Sequence, residues 1–437
     1  MSIKRDRNAT GARGRSRPAA IGGRASSALG VRRLHFGAVE RKGRLGFVPA
    51  RYGDGVVGGA EAALREMAHG LAQRGWDTEI LTTCARDHFT WDNVFEPGVT
   101  EGDDGVIVRR FPAVISTPRR ERAVFNAAIA AGAPLRLFEQ ERWVNDDVRV
   151  PDLFHHLLDE AGEYRALIFA PYLFWPTYAC GQVAPERTIV MPCLHDEPEA
   201  YLELYRPLFA GSRGIWFLSD PERDLAQRIH PRLAPHEVVG SGIHVPPRYD
   251  PEGFRRRHGI DGPFLLYAGR REGGKNWERL LEMFEAAVLS WSLPFSLVTI
   301  GHGEVAAPAA IAERVVDLGF LPDHERDDAF AAAAAYVQPS AYESFSRTIM
   351  EAWLAGTPVI AAGAAEVNRW HCERSGAGLV YDDELEFEEC LRFLADAPET
   401  AREIAAAGRA YVLGHYRWPE VLDRVEATID AWLPVQA

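Results

Sequence analysis

Apolar strands alternate with amphipathic helices along this chain, and that alternation most constrains its fold. A strand is predicted at residues 44–49, a helix at 59–74 and a second strand at 78–83. This order is typical of a parallel sheet with helices on its faces. Residues 115–151 are charged and are expected to form a helical insertion over the sheet. The apolar runs that continue the same sheet lie at residues 166–170, 188–192 and 214–218.

A second α/β series follows residues 240–253, a Gly- and Pro-rich segment that is typical of an interdomain linker. The length of 437 residues is enough for two domains. A final helix is predicted over residues 416–433, where apolar side chains recur at helical spacing. In the second series, strands are predicted at 264–268, 295–300, 315–318 and 335–338, and helices at 277–289 and 327–334.

Residues 339–361 follow a predicted strand and carry two carboxylates, Glu343 and Glu351. If the helix of this segment begins near Ser344, both carboxylates lie on roughly one face, because eight residues make little more than two turns. The free N–H groups at a helix N-terminus attract phosphate, and carboxylates accept hydrogen bonds from hydroxyl groups. A ligand with a diphosphate and several hydroxyls, such as a nucleotide sugar, suits this pattern. The alternative is a solvated helix with ordinary surface acids, and the position at a strand end disfavours it.

Two glycine-containing loops also follow predicted strands. In the second series, Arg270 and Lys275 lie five residues apart and can hold a diphosphate from two directions, unless the loop is merely solvated and charged. In the first series, residues 53–58 fit the dinucleotide pattern G-x-G-x-x-G. That pattern also needs an acidic residue at the end of the next strand, which here ends in Thr82-Thr83, so a dinucleotide site is disfavoured. A tight turn is the purely structural alternative for the glycines of this loop.

The segment from Glu343 onwards resembles the E-x7-E motif of family 4 nucleotide-sugar glycosyltransferases. The resemblance extends over roughly residues 43–435 and includes the family's G-R-x4-K signature in the second series. One departure is Ser346, which stands where relatives often have glycine. The matching residues are Glu343, Glu351, Ala352, Gly356, Pro358 and Val359 in the first motif, and Gly269, Arg270 and Lys275 in the second.

The resemblance implies an α/β protein with the GT-B fold, in which two Rossmann-like, doubly wound domains face a central cleft. Residues 43–245 are then the N-terminal, acceptor-binding domain and residues 246–415 the C-terminal, nucleotide-sugar donor domain. Residues 416–437 are expected to form a terminal helix that crosses back to the N-terminal domain. Residues 1–42 are expected to be a disordered basic tail, because they lack apolar periodicity.

The resemblance also implies roles for individual residues. Arg270 and Lys275 would stabilise the leaving diphosphate, Glu343 would orient the donor sugar, and Glu351 would bind the ribose hydroxyls. His195 would lie against the donor sugar, although a lone histidine is more often a packed loop residue. The residues implied in catalysis are His195, Glu343, Arg270 and Lys275. Those implied in donor binding are Gly58, Gly59, Arg270, Lys275, Gly319, Glu343, Ser344, Phe345, Ser346 and Glu351.

Asp196, which follows His195, has a possible structural role in the sequence. Asp196 and Glu199 have the spacing of a capping box, so Asp196 is a candidate helix cap.

The expected function is sugar transfer, with retention of configuration, from a UDP- or GDP-linked donor to a hydroxyl group. The acceptor is a glycan, a lipid-linked molecule or a small molecule, in surface polysaccharide or glycoconjugate biosynthesis. The alternatives are a catalytically silent binding or scaffold subunit with the same fold, and another GT-B enzyme such as a nucleotide-sugar epimerase. No cofactor beyond the nucleotide-sugar co-substrate and no metal is expected, since the His and Cys residues lack metal-ligand spacing.

Charge and cysteine content limit the binding partners and the cellular compartment that are expected. The net charge is −13, but residues 1–44 hold twelve Lys/Arg and two Asp/Glu, so the remainder carries −23. Such a remainder argues against sequence-independent nucleic-acid binding. The basic tail is interpreted as a dispensable extension, with a targeting peptide or attraction to anionic lipid as the alternatives. Five scattered cysteines and the lack of a long apolar run predict a cytoplasmic protein, with peripheral association at the inner membrane face as the alternative.

Overall fold

The computed structural model describes residues 42–56, 58–102, 105–115 and 120–434. The predicted disordered tail therefore falls, apart from Lys42, outside the described residues. Residues 41–437 belong to one compact unit. Within the described ranges, no helix is both long and apolar enough to cross a membrane.

The first half of this unit is built on an eight-stranded sheet, in the order β10-β9-β8-β7-β1-β2-β4-β3. Neighbouring strands are parallel except β3 and β4, and β5 pairs with β6 in a separate antiparallel ribbon inside the predicted insertion. The strands are β1 (Arg44–Pro49), β2 (Asp77–Thr83), β3 (Gly98–Glu101), β4 (Ile107–Phe111), β5 (Val114–Ile115), β6 (Val148–Arg149), β7 (Ala166–Ala170), β8 (Thr188–Val190), β9 (Gly214–Phe217) and β10 (His236–Val238). The helices are α1 (Gly59–Gln73), α2 (Arg120–Ala130), α3 (Leu137–Asn145), α4 (Pro151–Glu160), α5 (Arg206–Gly211) and α6 (Asp220–Ile229).

The second half is built on a six-stranded parallel sheet, in the order β13-β12-β11-β14-β15-β16. The strands are β11 (Phe264–Ala268), β12 (Ser296–Ile300), β13 (Val315–Asp317), β14 (Ala335–Gln338), β15 (Val359–Ala362) and β16 (Leu379–Tyr381). The helices are α7 (Pro251–His258), α8 (Trp277–Trp291), α9 (Asp323–Ala332), α10 (Arg347–Leu354), α11 (Glu366–Ser375), α12 (Glu384–Asp396), α13 (Pro398–His415) and α14 (Trp418–Trp432).

Both sheets have the strand order of a doubly wound fold. In the first, the order reverses between β1 and β7, and in the second between β11 and β14. All residues of β7, β11 and β14 are buried, as expected of central strands that are covered on both faces. Ligands bind beyond the carboxyl ends of the strands at such reversals, so the loops that follow these four strands are where a site is expected.

The terminal helix α14 packs against the first half. Trp216 donates its indole N–H to Thr428 Oγ1 at 2.8 Å, and Arg165 pairs with Asp430 at 2.7 Å. On α1, a Cβ added to Gly70 would lie 2.7 Å from a methyl carbon of Leu422. The close approach of these two helices therefore favours glycine at position 70, since a larger residue would displace the Leu422 side chain.

The chain passes between the halves twice, and the two passages contact each other. In the first, the backbone N–H of Ile243 donates to the carbonyl of Tyr416 in the second at 2.7 Å. Beside them, Arg347 of α10 donates to both carboxylate oxygens of Glu66 of α1, at 2.9 and 3.0 Å. Trp418 of α14 donates its indole N–H to the same carboxylate at 2.9 Å. The halves are thus joined at this point by backbone and by side chains.

Helix α10 begins at Arg347, so the condition for a shared face, a helix start near Ser344, is not met. The cause is Ser346, whose φ of 58° and ψ of 61° place it in the left-handed region. The hydroxyl of Ser346 donates to Oδ1 of the buried Asn368, which in turn donates to the carbonyl of Ala362. Glu343 therefore stays on an irregular loop, and it does not share a helical face with Glu351.

Serine in this conformation is expected to cost stability through its Cβ. Ser346→Ala and Ser346→Gly both remove the hydroxyl, so they differ only in the Cβ that strains a left-handed residue. The alanine variant should therefore be less stable than the glycine variant by about 1 kcal/mol. Denaturant unfolding of the two variants measures this difference. Equal stabilities would show that the loop relaxes out of the left-handed conformation.

Candidate active site

A cavity of about 1280 Å³ lies between the two halves, beyond the carboxyl ends of β1, β7, β11 and β14. Gly319 was also predicted to bind the donor, but it lies just behind the wall, where its carbonyl accepts the N–H of Gly301 at 2.8 Å. The predicted residues that line the cavity are Gly58, Gly59, His195, Arg270, Lys275, Glu343, Ser344, Phe345, Ser346 and Glu351.

Lys275 and Glu343 form an ion pair in the wall of this cavity. Lys275 ends a short helical turn, Gly273–Lys275, after β11, and its Nζ lies 2.7 Å from Glu343 Oε1. Burial alone would raise the pKa of Glu343, but the charge and hydrogen bond of Lys275 outweigh it and hold that pKa below its usual value. Glu343 is therefore an ionised hydrogen-bond acceptor at neutral pH.

Arg270 reaches the cavity from the same loop. The hydroxyl of Tyr267 donates to the Arg270 carbonyl at 2.5 Å and fixes the backbone. The guanidinium pairs with Glu272 at 3.1 Å and lies 3.4 Å from Nε2 of His88, which belongs to the first half. Burial, with the charges of Arg51 and Arg270, lowers the pKa of His88 to about 4. The neutral His88 can thus accept a hydrogen bond from Arg270, a contact that sequence spacing gave no means of finding.

Glu351 lies in the same cavity with a cationic partner that the sequence did not reveal. Arg326 of α9 lies 3.6 Å from Glu351, and that carboxylate raises the pKa of the mostly buried guanidinium. Burial raises the pKa of the adjacent Asp327 to about 6. The helix was predicted to start at Asp327 but starts at Asp323. Because the predicted helix began too late in the chain, Arg326 lay outside it and was not recognised as a residue of the site.

The glycine loop of the first half lines the opposite side of the cavity. Arg51, just beyond β1, donates through Nε to Glu61 at 3.0 Å, and both side chains are more than nine-tenths buried. A Cβ on Gly58 would lie 2.1 Å from a carboxylate oxygen of Glu61. Glycine is thus required at position 58 because the Arg51–Glu61 pair packs directly against it, a reason that the motif alone did not provide.

His195 follows β8 and lines the cavity from the first half. Its Nδ1 lies 3.5 Å from Glu197. The alternative role for Asp196 as a helix cap was wrong, because the helical turn Pro198–Tyr201 begins after Glu197 without a side-chain cap. Asp196 instead accepts a hydrogen bond from the Tyr201 hydroxyl at 2.7 Å.

The loop after Glu343 is held from both halves. Ser219, of the first half, donates its hydroxyl to the carbonyl of Ser344 at 2.8 Å. The ring of Phe345 is 2% exposed and packs edge-on against His371 and Tyr416. Phe345 therefore supports the loop from behind, and its ring is not available to a ligand.

These groups together suit an anionic, hydroxyl-bearing ligand. Two cations, Arg270 and Lys275, lie on one loop, and two carboxylates follow β14. A histidine approaches from the other half. Among the described parts of the chain, no group of three or more His, Cys, Asp or Glu side chains is arranged to hold a metal ion.

Comparison with solved structures identifies the architecture. Sucrose-phosphate synthase from Thermosynechococcus elongatus superposes with a TM-score of 0.67 at 16% identity, over 90% of this chain and 100% of that one. Anabaena HepE in complex with UDP-glucose gives a TM-score of 0.63 at 16% identity, over 89% and 99%. The fold is GT-B. The predicted fold class is thereby confirmed.

Sequence comparison points to glycosyltransferases. Residues 262–396 match the family model described as "Glycosyl transferases group 1". The D-inositol 3-phosphate glycosyltransferase 1 of Catenulispora acidiphila is 26% identical over 417 residues, which cover 86% of this chain and 92% of the relative. The matched segment contains Arg270, Lys275, Glu343 and Glu351. These similarities support a role in glycosyl transfer.

Proposed function

We propose that this protein is a retaining glycosyltransferase that moves a hexose from a UDP- or GDP-linked donor to a hydroxyl group of an acceptor. The observation that carries the proposal is the Lys275–Glu343 pair beside Arg270, which places cations and an ionised carboxylate together at the reversal of the second sheet. The residue roles follow the family 4 resemblance.

Each residue binds a different part of the donor in this proposal. Arg270 and Lys275 bind the diphosphate and stabilise the negative charge that develops on it as the sugar leaves, where electrostatic stabilisation is most effective. Glu343 accepts hydrogen bonds from sugar hydroxyls, and Glu351 accepts them from the ribose. His195 contacts the sugar from the first half. No metal is required for these steps, because the two side-chain cations neutralise the diphosphate.

The similar proteins indicate which donors and acceptors to test. Anabaena HepE was solved in complex with UDP-glucose. The Catenulispora relative is named for an acceptor that is a small phosphorylated polyol. For this chain, a glycan, a lipid-linked molecule and a small molecule are all acceptors to be tested, in polysaccharide or glycoconjugate biosynthesis.

A panel of nucleotide sugars tests the function directly. We expect one UDP- or GDP-sugar to raise the melting temperature, since a ligand of the native state stabilises it by mass action. The same donor should be slowly hydrolysed without acceptor and turned over faster with the right one, in the presence of excess chelator. Stabilisation without any hydrolysis or transfer would instead indicate a silent binding subunit. Loss of turnover with chelator, restored by Mg²⁺ or Mn²⁺, would contradict the metal-free mechanism.

A further inference from the structure

Three side chains, Tyr172, Glu197 and His195, lie in line along the wall of the cavity. Tyr172 follows β7, and both His195 and Glu197 follow β8. The Tyr172 hydroxyl donates to Oε1 of Glu197 at 2.7 Å. The other carboxylate oxygen, Oε2, lies 3.5 Å from His195 Nδ1. Glu197 is thus held at one oxygen and directed at the imidazole with the other.

Burial and the neighbouring side chains determine the protonation states of Glu197 and Tyr172. Burial alone would raise the pKa of Glu197, but the contacts with His195 and Tyr172 outweigh burial and lower it. Burial raises the pKa of Tyr172 well above its usual value, and the neighbouring Glu197 raises it further. At neutral pH the tyrosine therefore remains a donor and the glutamate an ionised acceptor.

The other imidazole nitrogen is the one left to the ligand. Across the part of the chain that the structure describes, His195 Nε2 has no hydrogen-bond partner. His195 lines the cavity and is close enough to Glu343 to lower its pKa. The backbone before the histidine is also fixed, because the fully buried Glu222 accepts the N–H groups of Leu194 and Leu218 at 2.7 and 2.5 Å.

We propose that Glu197 is the positioning residue for His195. By accepting the Nδ1–H, it sets the tautomer in which Nε2 presents a lone pair to a hydroxyl group of the sugar in the cavity. The second half of this statement rests on the proposed function, whereas the tautomer does not.

Glu197→Gln gives a specific test of the tautomer. Tyr172 would donate to the amide oxygen of the new side chain and so turn its NH2 group towards His195. Nδ1 must then accept, and the proton moves to Nε2. We expect the ¹⁵N chemical shifts of His195 at pH 9, assigned with His195→Asn, to show Nδ1–H in the wild type and Nε2–H in this variant. Glu199→Gln is the matched control, since Glu199 faces Arg122 and should leave the His195 tautomer unchanged.

Kinetics supplies the second readout. Glu197→Gln should lower kcat by about 10- to 100-fold through misorientation of His195, with little change in affinity for the product nucleoside diphosphate. Glu199→Gln should stay near wild type. Tyr172→Phe, which keeps the carboxylate but removes its anchor, should retain the Nδ1–H tautomer and lower kcat by a smaller factor. It keeps the proposal testable if Glu197→Gln does not fold.

Each outcome decides something different. An unchanged tautomer in Glu197→Gln, or equal kinetic losses in Glu197→Gln and Glu199→Gln, would overturn the positioning role. A tautomer change on going from wild type to Glu197→Gln, combined with a wild type that turns over no nucleotide sugar, would support the positioning role and contradict the proposed function instead.

Discussion

Lys275→Ala is expected to lower kcat/KM for the nucleotide-sugar donor by at least about 100-fold, the scale on which loss of one preorganised charge-stabilising group acts. Two effects combine in this variant. The departing diphosphate loses a cation, and Glu343 loses the partner that holds its pKa down while remaining largely buried. Steady-state kinetics with the donor found in the panel measures the loss.

Arg279→Ala is the matched control for this experiment. Arg279 lies one helical turn further along, on α8, where it is half-exposed and pairs with Glu282 and Glu384 outside the cavity. Its removal also takes away one positive charge but should leave kcat/KM near wild type. A folded Lys275→Ala variant with near-normal kinetics, or equal losses in the two variants, would exclude Lys275 from diphosphate stabilisation.

Glu351→Gln and Glu343→Gln are expected to separate nucleotide binding from sugar turnover. In the proposed site Glu351 accepts hydrogen bonds from the ribose hydroxyls, so Glu351→Gln should weaken binding of the free nucleoside diphosphate by about 10- to 100-fold. Glu343→Gln releases Lys275 from its ion pair, so affinity for the same nucleotide should not fall. Turnover of the sugar donor should nevertheless drop, because the sugar loses its ionised acceptor.

Calorimetric titration with the product nucleotide distinguishes the two carboxylates. Glu373→Gln, an exposed position on α11, controls for the loss of one negative charge. If both cavity variants lose nucleotide affinity equally, the segment acts as one nucleotide clamp. The proposed division between sugar and ribose would then be wrong.

Sequence periodicity predicted most elements that matter here, because buried central strands are continuous apolar runs. The strands at Arg44–Pro49, Ala166–Ala170, Phe264–Ala268 and Ala335–Gln338 have the predicted bounds. These are the four strands that flank the two reversals of strand order. The motifs attached to them consequently lie at the cavity.

Contacts between distant segments could not be predicted in the same way. His88 meets Arg270 from 182 residues away, and Glu61 is held by Arg51 across a turn. The start of α10 at Arg347 could not be fixed from the sequence either, since helical spacing does not reveal a left-handed Ser346. Each miss concerns backbone conformation or a partner in another element, and neither leaves a periodic trace in one sequence.

The paired passages at Ile243 and Tyr416 have a mechanical consequence. Two chain passages that are hydrogen-bonded to each other are expected to act as a hinge, because they permit rotation of the halves but resist their separation or sliding. The Glu66–Arg347 pair lies beside this hinge and should therefore persist through opening. The contact between His88 and Arg270 is a single one at 3.4 Å, weaker than a bidentate ion pair. It is therefore expected to break first when the cavity widens.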